Sequence, residues 1–222
     1  MSDGAGREPA PGGPLAGPDG LLRCPWGLSA DVYVEYHDTE WGRPVRGDEA
    51  LYERLCLEAF QSGLSWLTIL RRRDGFRAAF DGFRIPAVAA FTDADVERLL
   101  QDESIIRNRA KIEATIANAR VLAEWPEGGL DALIWSYAPD PAGRPVPRTV
   151  ADVPAVTPES AALAKDLKKR GLRFVGPTTA YALMQACGLV DDHLADCVRR
   201  GCPAGSPPGE SPSARGGRRT RR

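Results

Sequence analysis

The chain contains two histidines, and each lies in a segment that also supplies a cysteine. Cys24 precedes His37 by thirteen positions, and His193 precedes Cys197 by four, a spacing that places two side chains on one face of a helix. Two imidazoles and two thiolates match tetrahedral zinc, and four protein ligands leave no position open for a catalytic water. The pattern predicts one structural zinc ion per chain. On spacing alone, unrelated buried thiols and surface imidazoles explain the four residues equally well.

The other three cysteines carry less information. Five cysteines, an odd number without a secretory signal, argue against a disulfide framework. Cys202 follows Cys197 by five residues and is an alternative ligand, whereas Cys56 and Cys187 lie in apolar helical patterns and are expected to pack in the core. A zinc ion bound to Cys24 and Cys197 would join the two ends of the folded core.

Residues 163–187 have the pattern of a helix-hairpin-helix, in which basic residues end one helix, glycines follow, and Pro177 opens the next helix. Glycines let the backbone approach a phosphate, and the free amides of the second helix face it with the positive end of the helix dipole. Such contacts hold a duplex without reading its sequence. The expected DNA contacts are Gly171, Val175, Gly176 and Thr178. The same pattern also fits an ordinary tight connection with a solvated basic face.

A carboxylate, Glu58, and an aromatic residue, Trp66, flank a helix break at Gly63 and Leu64. A purine extruded from DNA needs flat surfaces to stack on and an acceptor for its exocyclic amine. Glu58 supplies an acceptor. The candidate aromatic rings are those of Trp26, Tyr33, Tyr36 and Trp66. By helical position alone, a solvated Glu58 and aromatic residues packed in the core are the simpler interpretation.

The overall composition limits the function classes. A chain of 222 residues with 43% hydrophobic residues can bury one sizeable core or two small lobes. Its net charge of −1 does not indicate a polyanionic partner, so any nucleic-acid contact must be local. No run approaches the roughly 20 apolar residues of a membrane helix, and the N-terminus lacks the order of a signal peptide. We expect a cytoplasmic protein without membrane contact.

Apolar residues recur at helical spacing through most of the chain, which predicts an all-α fold. The composition predicts a disordered Gly/Pro-rich tail at residues 1–20, one domain at 21–202 and a disordered Arg-rich tail at 203–222. Thr157 is a predicted N-cap, and Gly188 a predicted helix stop. The predicted helices are 49–62, 66–73, 75–80, 86–90, 93–101, 105–124, 129–137, 158–170 and 177–187.

Together these motifs resemble one family, bacterial 3-methyladenine DNA glycosylase I. The resemblance covers roughly residues 22–198. It is carried by RCPW at 23–26, YHDTEWG at 36–42, LEAFQSGLSW at 57–66, IIRNRAKIEATIANAR at 105–120, LIWSY at 133–137 and LKKRGLRFVGPTTAYALMQACGLVDDH at 167–193. The family implies a helix-hairpin-helix DNA glycosylase fold in which a zinc site joins the N- and C-terminal ends of the core. The implied zinc ligands are Cys24, His37, His193 and Cys197.

The resemblance also implies roles in base recognition. Glu58 is expected to recognise the methylated adenine, with Trp66 stacking on the base, Tyr36 lining the pocket and Tyr33 beside them. Leu64 is the candidate wedge that fills the gap left by the extruded nucleotide. Asp191 resembles the position of a catalytic aspartate in other helix-hairpin-helix glycosylases, but a structural role next to His193 is the favoured interpretation.

The implied reaction is hydrolysis of the N-glycosidic bond of 3-methyladenine in alkylated double-stranded DNA, which leaves an abasic site. We expect a monomer, and no cofactor other than zinc. A monofunctional enzyme is expected because no lysine lies in the candidate pocket segments. The alternatives are a non-catalytic, zinc-stabilised helix-hairpin-helix DNA-binding module, against which Glu58 and its aromatic neighbours argue, and a paralogue with another base preference.

Overall fold

The computed structural model describes residues 11–202, which are mostly helical and form two compact units. The first unit comprises the residues up to Arg43, Pro141–Pro154 and the residues from Asp191, and the second comprises Pro44–Asp140 and Ala155–Val190. The single domain predicted at 21–202 spans residues of both units. Within the described part of the chain, no helix is both long and apolar enough to cross a membrane. Residues 1–10 and 203–222, most of the two predicted tails, lie outside the described residues.

Nine of the helices of the described chain belong to the second unit. They are α2 (Asp48–Gln61), α3 (Trp66–Leu70), α4 (Arg73–Ala79), α5 (Ile85–Ala89), α6 (Asp93–Gln101), α7 (Arg109–Ala123), α8 (Gly129–Trp135), α9 (Pro158–Lys169) and α10 (Pro177–Ala186). A continuous core contains Tyr52 and Tyr181 and a chain of phenylalanine rings, in which the Phe60 and Phe76 centroids are 4.6 Å apart. The Tyr52 hydroxyl donates to the Thr115 carbonyl at 2.8 Å, so this large polar group is buried with a partner.

Local sequence signals explain where these helices begin and end. Thr92 and Thr157 both form capping boxes at the N-termini of α6 and α9, and proline occupies the first turn of α9 and α10. Gly188, at φ 72°, follows α10. Helix α7 starts at Arg109 rather than at the predicted residue 105, because the Asn108 side chain accepts from the Lys111 amide and caps the helix there.

The first unit contains a small sheet and one helix. Strands β1 (Leu15–Ala16) and β2 (Leu22–Arg23) pair antiparallel, with Leu15 opposite Arg23. Helix α1 (Asp31–Thr39) follows, in a stretch where the spacing of apolar residues predicts no helix. Residues 11–20 thus belong to the folded unit rather than to the tail predicted at 1–20. Their pairing with β2 accounts for the difference, because composition does not reveal a partner strand.

The segment from His193 to Cys197 is not the helix that its spacing predicted. It forms successive turns, in which the Cys197 amide donates to the Leu194 carbonyl at 2.9 Å and the Ala195 amide donates to the Pro147 carbonyl at 2.8 Å. The second bond ties the segment to another stretch of the same unit, so a tertiary partner replaces helical bonding.

In the segment predicted as a helix-hairpin-helix, a tight turn joins α9 and α10. Gly171, at φ 98°, ends the first helix, and the Leu172 amide donates back to the Leu167 carbonyl at 3.0 Å. The turn is also held by Asn118 of α7, which is buried. Its side chain accepts from the Arg173 amide at 2.7 Å and donates to the Arg173 carbonyl at 3.1 Å. The Asn118 side chain therefore binds both the backbone amide and the backbone carbonyl of Arg173.

Replacing Asn118 with alanine is expected to lower the free energy of unfolding by about 1–3 kcal/mol, because it leaves the amide and carbonyl of Arg173 without these partners. Chemical denaturation measures the change. Glu113→Ala, at a half-exposed site on the same helix, is the control and should change stability by less than about 0.5 kcal/mol. Equal stability of the two variants would contradict the role of Asn118.

Candidate functional site

Four predicted ligands meet in the first unit. The donor atoms of Cys24, His37, His193 and Cys197 all lie within 4.8 Å of one another, and all four residues are buried. The Cys197 sulfur is 3.4 Å from His37 Nε2 and 3.5 Å from His193 Nδ1, and the Cys24 sulfur is 3.9 Å from His193 Nδ1. A tetrahedral zinc ion with ordinary bond lengths has a sulfur–nitrogen edge of roughly 3.5 Å. The donor set and its spacing therefore fit one tetrahedral metal ion.

Each imidazole uses its second nitrogen to bind a protein oxygen. His37 Nδ1 is 2.7 Å from Asp38 Oδ1, and the other oxygen, Asp38 Oδ2, accepts from Arg23 at 2.8 Å. His193 Nε2 is 3.3 Å from the Trp41 carbonyl. These partners place the ring protons on the outer nitrogens and leave His37 Nε2 and His193 Nδ1 free to bind a cation. Burial opposes ionisation of Asp38, but hydrogen bonds from Arg23 and His37 hold the pKa of its carboxyl below the ordinary value.

Two glycines make room for these imidazoles. A Cβ on Gly27, in the 3₁₀ turn Pro25–Leu28, would lie 2.9 Å from the His37 ring. A Cβ on Gly42, at φ 75°, would lie 3.1 Å from His193 Nε2. Both positions are thus restricted to glycine by close approach to a ligand ring. The spacing of histidines and cysteines gave no signal for them.

Asp191 holds the backbone of the C-terminal loop that carries His193 and Cys197. Its carboxylate accepts from the His193 amide at 3.1 Å and from the Gly201 amide at 2.9 Å. The Arg200 guanidinium donates to the His193 carbonyl and lies 3.9 Å from the same carboxylate. These contacts are those of a structural residue. Cys202, the alternative ligand, instead directs its sulfur to the Val198 carbonyl at 3.3 Å and is not part of the four-residue group.

Aromatic rings surround the metal-binding group within the first unit. Trp26 lies edge-on to Tyr33 at 5.6 Å and edge-on to Trp41 at 5.0 Å, and its ring is 6.2 Å from that of Tyr36. Tyr36 is buried, and its carbonyl accepts from the Trp41 amide. The structure therefore brings Tyr33 and Tyr36 to one aromatic cluster on α1. This cluster also contacts His37 through Trp26, at 5.3 Å.

Glu58 lies in the second unit, on α2, with only 6% of its surface exposed. Burial raises the pKa of its carboxyl from 4.5 to about 8, and the positive charge of Arg54, one turn earlier on the same helix, opposes this rise. Cys187, at the end of α10, is the other titratable neighbour, and burial raises the pKa of its thiol to about 12. Near neutral pH the Glu58 carboxyl is largely protonated, and the Cys187 thiol also stays neutral. A positively charged ligand beside Glu58 would therefore favour ionisation of its carboxyl.

The loop after α2 contains the predicted helix break, Gly63, and the candidate wedge, Leu64. Gly63 is at φ 82°, Leu64 is 41% exposed, and the Ser65 hydroxyl accepts from the Thr68 amide to start α3 at Trp66. Lys111 of α7 supports this loop from inside. Its buried ammonium donates to the Phe60 carbonyl at 2.8 Å and to the Ser62 carbonyl at 2.6 Å. A cation thus binds the negative end of α2, where sequence reasoning placed no lysine.

The hairpin presents the predicted DNA-contacting residues in different ways. Thr178 is exposed in the first turn of α10, and Gly176 precedes that helix with open space around its Cα. Val175 is fully buried, so only its backbone is available for a contact. Gly171 is exposed at the end of α9. The four residues lie in the turn between α9 and α10 and at the start of α10.

The methyladenine glycosylase family model matches residues 26–200. The chain belongs to the methyladenine glycosylase family. It is 44% identical to DNA-3-methyladenine glycosylase 1 of Escherichia coli (strain K12), over 85% of this chain and 100% of that protein. It is 43% identical to DNA-3-methyladenine glycosylase of Haemophilus influenzae, over 79% of this chain and 96% of that protein.

Solved structures show that the family fold is shared. A crystal structure of 3-methyladenine DNA glycosylase I has a TM-score of 0.72 at 44% identity and covers 79% of this chain and 97% of its own. A structure of the Staphylococcus aureus enzyme, which describes recognition of 3-methyladenine, has a TM-score of 0.73 at 34% identity and covers 81% and 97%. The predicted all-α glycosylase fold is therefore confirmed for this family member.

A stability measurement tests the burial of Glu58. Between pH 4.5 and 8 the folded protein holds a proton on this carboxyl that the unfolded chain has released. The free energy of unfolding therefore falls as the pH rises through that window. Glu58→Gln carries no such proton. Its free energy of unfolding relative to wild type is expected to increase by up to about 4 kcal/mol between pH 5 and pH 9.

Urea denaturation at each pH measures this difference, with Glu49→Gln on the exposed start of the same helix as the control. A difference between Glu58→Gln and wild type that does not change with pH would show that the carboxyl ionises normally.

Proposed function

We propose that this protein is a monofunctional DNA N-glycosylase that hydrolyses the N-glycosidic bond of 3-methyladenine in alkylated DNA. The observation that carries the proposal is Glu58, a carboxyl buried on α2 in a member of the methyladenine glycosylase family. A buried carboxyl that resists ionisation gains most from a ligand that is itself positively charged. A purine methylated at N3 within DNA is such a ligand, whereas normal purines are neutral.

The reaction needs little help from acid catalysis, because the cationic base is already a good leaving group. The N-glycosidic bond breaks, its electron pair leaves with the base as neutral 3-methyladenine, and a water molecule adds to the sugar carbon and loses a proton. Glu58 would accept a hydrogen bond from the exocyclic amine and, as a carboxylate, stabilise the cation. Binding of the lesion would therefore release the proton that Glu58 holds in the free protein.

Aromatic side chains complete the proposed recognition of the base. Trp66, at the start of α3, would stack on the purine, and Tyr36 and Tyr33 of α1 would line it. Among the solved relatives are a tyrosine-to-phenylalanine variant in complex with 3-methyladenine and a glutamate-to-glutamine variant. The positions of these two substitutions are separated by the same number of residues as Tyr36 and Glu58. This agreement supports the roles of these two residues.

The remaining roles concern the duplex. Residues 163–187 would act as a helix-hairpin-helix that holds a phosphate through the backbone of Gly171, Val175 and Gly176 and through the Thr178 hydroxyl. Leu64, exposed on its loop, would enter the gap left by the extruded nucleotide. Lys111 is the lysine next to this loop, and its ammonium is held by two carbonyls. A lysine held in this way favours hydrolysis over Schiff-base chemistry, so we propose that the abasic site stays intact.

We further propose that the metal is a single zinc ion bound by Cys24, His37, His193 and Cys197. Bound zinc would supply a structural cross-link, since all four ligands come from the protein. The donors join the N-terminal and C-terminal segments of the first unit, and no nucleophilic water has a place among them. The protein is proposed to act as a monomer.

Replacing Glu58 with glutamine is expected to lower the excision rate by about 100-fold, because the cation loses its counter-charge in a buried site. For wild type, KM for alkylated duplex should fall as the pH rises from 6 to 8, since Glu58 must lose its proton to bind the cation. The variant should lose this pH dependence. Release of free 3-methyladenine from methylated DNA measures both quantities.

Wild-type excision by Glu58→Gln would remove Glu58 from its role. Duplex binding by wild type without any base release would instead favour the non-catalytic DNA-binding module. A panel of alkylated bases in the same release assay defines the substrate range.

Removal of a zinc ligand should destabilise the protein rather than inactivate it selectively. His193→Ala is expected to lose the metal and to lower the melting temperature by about 10 °C or more, because binding of a structural zinc contributes to the free energy of folding. Native mass spectrometry and calorimetry measure the two effects. Cys202→Ser is the matched control, because this neighbouring thiol lies outside the ligand group and should leave both values unchanged. Full metal content in His193→Ala would contradict the assignment.

A further inference from the structure

The turn between α9 and α10 contains an exposed aromatic residue in an unfavourable backbone conformation. Phe174 has φ 57°, in the left-handed region, and is 41% exposed. A side chain with a Cβ and an aromatic ring is disfavoured in this region, which glycine and asparagine adopt readily. A half-exposed ring also gains little from burial. Folding alone therefore favours glycine or asparagine at this position.

The neighbours of Phe174 impose this conformation. On one side, the amide and carbonyl of Arg173 are both bound by the Asn118 side chain. On the other side, Val175 is fully buried and leads directly into α10. Both flanking residues are fixed, so the backbone at Phe174 cannot relax without losing those contacts. Strain that the surrounding structure imposes on an exposed residue is a feature of binding surfaces.

Several basic residues precede Phe174 in the sequence. Lys168 and Lys169 end α9, Arg173 directly precedes Phe174, and all three are exposed. The ten-residue helix α10 begins three positions after Phe174. An apolar ring among cations does not suit a solvated face, but it complements a DNA strand, in which phosphates alternate with the apolar faces of deoxyribose rings. The charge pattern thus selects DNA as the occupant of this surface.

We propose that Phe174 is a further DNA-binding residue, whose ring packs against a deoxyribose next to the phosphate held by the hairpin backbone. The proposal rests on the proposed function, because it requires that the hairpin binds DNA. The contact reads neither the lesion nor the sequence, since every nucleotide has the same sugar. Phe174 therefore contributes to duplex affinity in general, and Glu58 and Trp66 contribute to the choice of base.

Three substitutions at this position separate the ring from the strain. Phe174→Gly removes both, Phe174→Ala removes the ring and keeps the strained Cβ, and Phe174→Tyr keeps both. We expect Phe174→Gly to have a higher melting temperature than wild type, yet to bind duplex DNA about 5- to 50-fold more weakly. Phe174→Ala should lose the same affinity without the gain in stability, and Phe174→Tyr should bind as wild type does.

Binding is measured by fluorescence anisotropy with an undamaged duplex and with the same duplex carrying 3-methyladenine. The loss of affinity in Phe174→Gly should be equal for the two duplexes, KM for excision should rise by the same factor, and kcat should stay unchanged. Binding of free 3-methyladenine should also be unchanged. A gain in stability with a loss of duplex affinity cannot come from local unfolding.

The salt dependence distinguishes an apolar contact from a phosphate contact. Phe174→Gly should leave the slope of log Kd against log salt unchanged, whereas Arg173→Gln should reduce its magnitude by about 1. Val156→Ala is the control for loss of exposed apolar surface elsewhere in the same unit, since Val156 is 43% exposed. This control should bind duplex DNA as wild type does.

Wild-type duplex affinity in Phe174→Gly would overturn the inference about Phe174 and leave the proposed function intact. A reduced salt slope in Phe174→Gly, or an unchanged KM, would also overturn it. Failure of wild type to bind any duplex or to release any base would instead overturn the proposed function itself.

Discussion

The buried cluster of two thiols and two imidazoles is the interaction on which the first unit depends. This unit is built from three separate stretches of chain and contains, among the described residues, one α-helix, three short 3₁₀ helices and two short strands. Its small apolar cluster consists of Cys24, Leu194 and Cys197, with Trp26 and Val153 packed against it. Such a core is too small to order these stretches by burial alone. A metal bound to the four donors would supply the missing cross-links, and the contacts of Asp38 and Asp191 orient them.

The second unit, in contrast, has a large apolar core. This core gives the unit enough stability to tolerate a buried carboxyl. Glu58 lies on α2, whose apolar side chains pack in the core. Its carboxyl is therefore buried where water cannot solvate a charge. This placement costs stability as the pH rises, and under the proposed function it would make the site respond to a cation. A solvated carboxylate would attract every positive group with little preference. In the proposed function, selectivity for a cationic base would follow from the desolvation that destabilises the free protein.

The sequence predicted the elements that depend on local signals and missed those that depend on distant partners. Capping residues and helical periodicity located α2, α6, α9 and α10 to within a residue or two, because these signals act within one turn. Residue types alone singled out the two cysteines and two histidines that meet in the first unit. The helical spacing inferred for His193 and Cys197 was wrong, since a bond from Ala195 to Pro147 replaces helical bonding. No local pattern marks the residues whose structural partners lie elsewhere in the sequence. These residues are Gly27, Gly42, Asn118 and Lys111.

Glu58 and Phe174 break different local rules for a common reason. One is an ionisable group in the core, and the other is an aromatic residue at positive φ on the surface. In both cases the fold sets the environment of the residue: Glu58 is buried on a helix that lines the core, and Asn118 and Val175 fix the backbone around Phe174. A fold retains such residues when the binding they provide outweighs the stability they remove. If DNA is the ligand, the two residues divide its recognition, since Glu58 responds to the charge of the base and Phe174 to the sugar that every nucleotide shares.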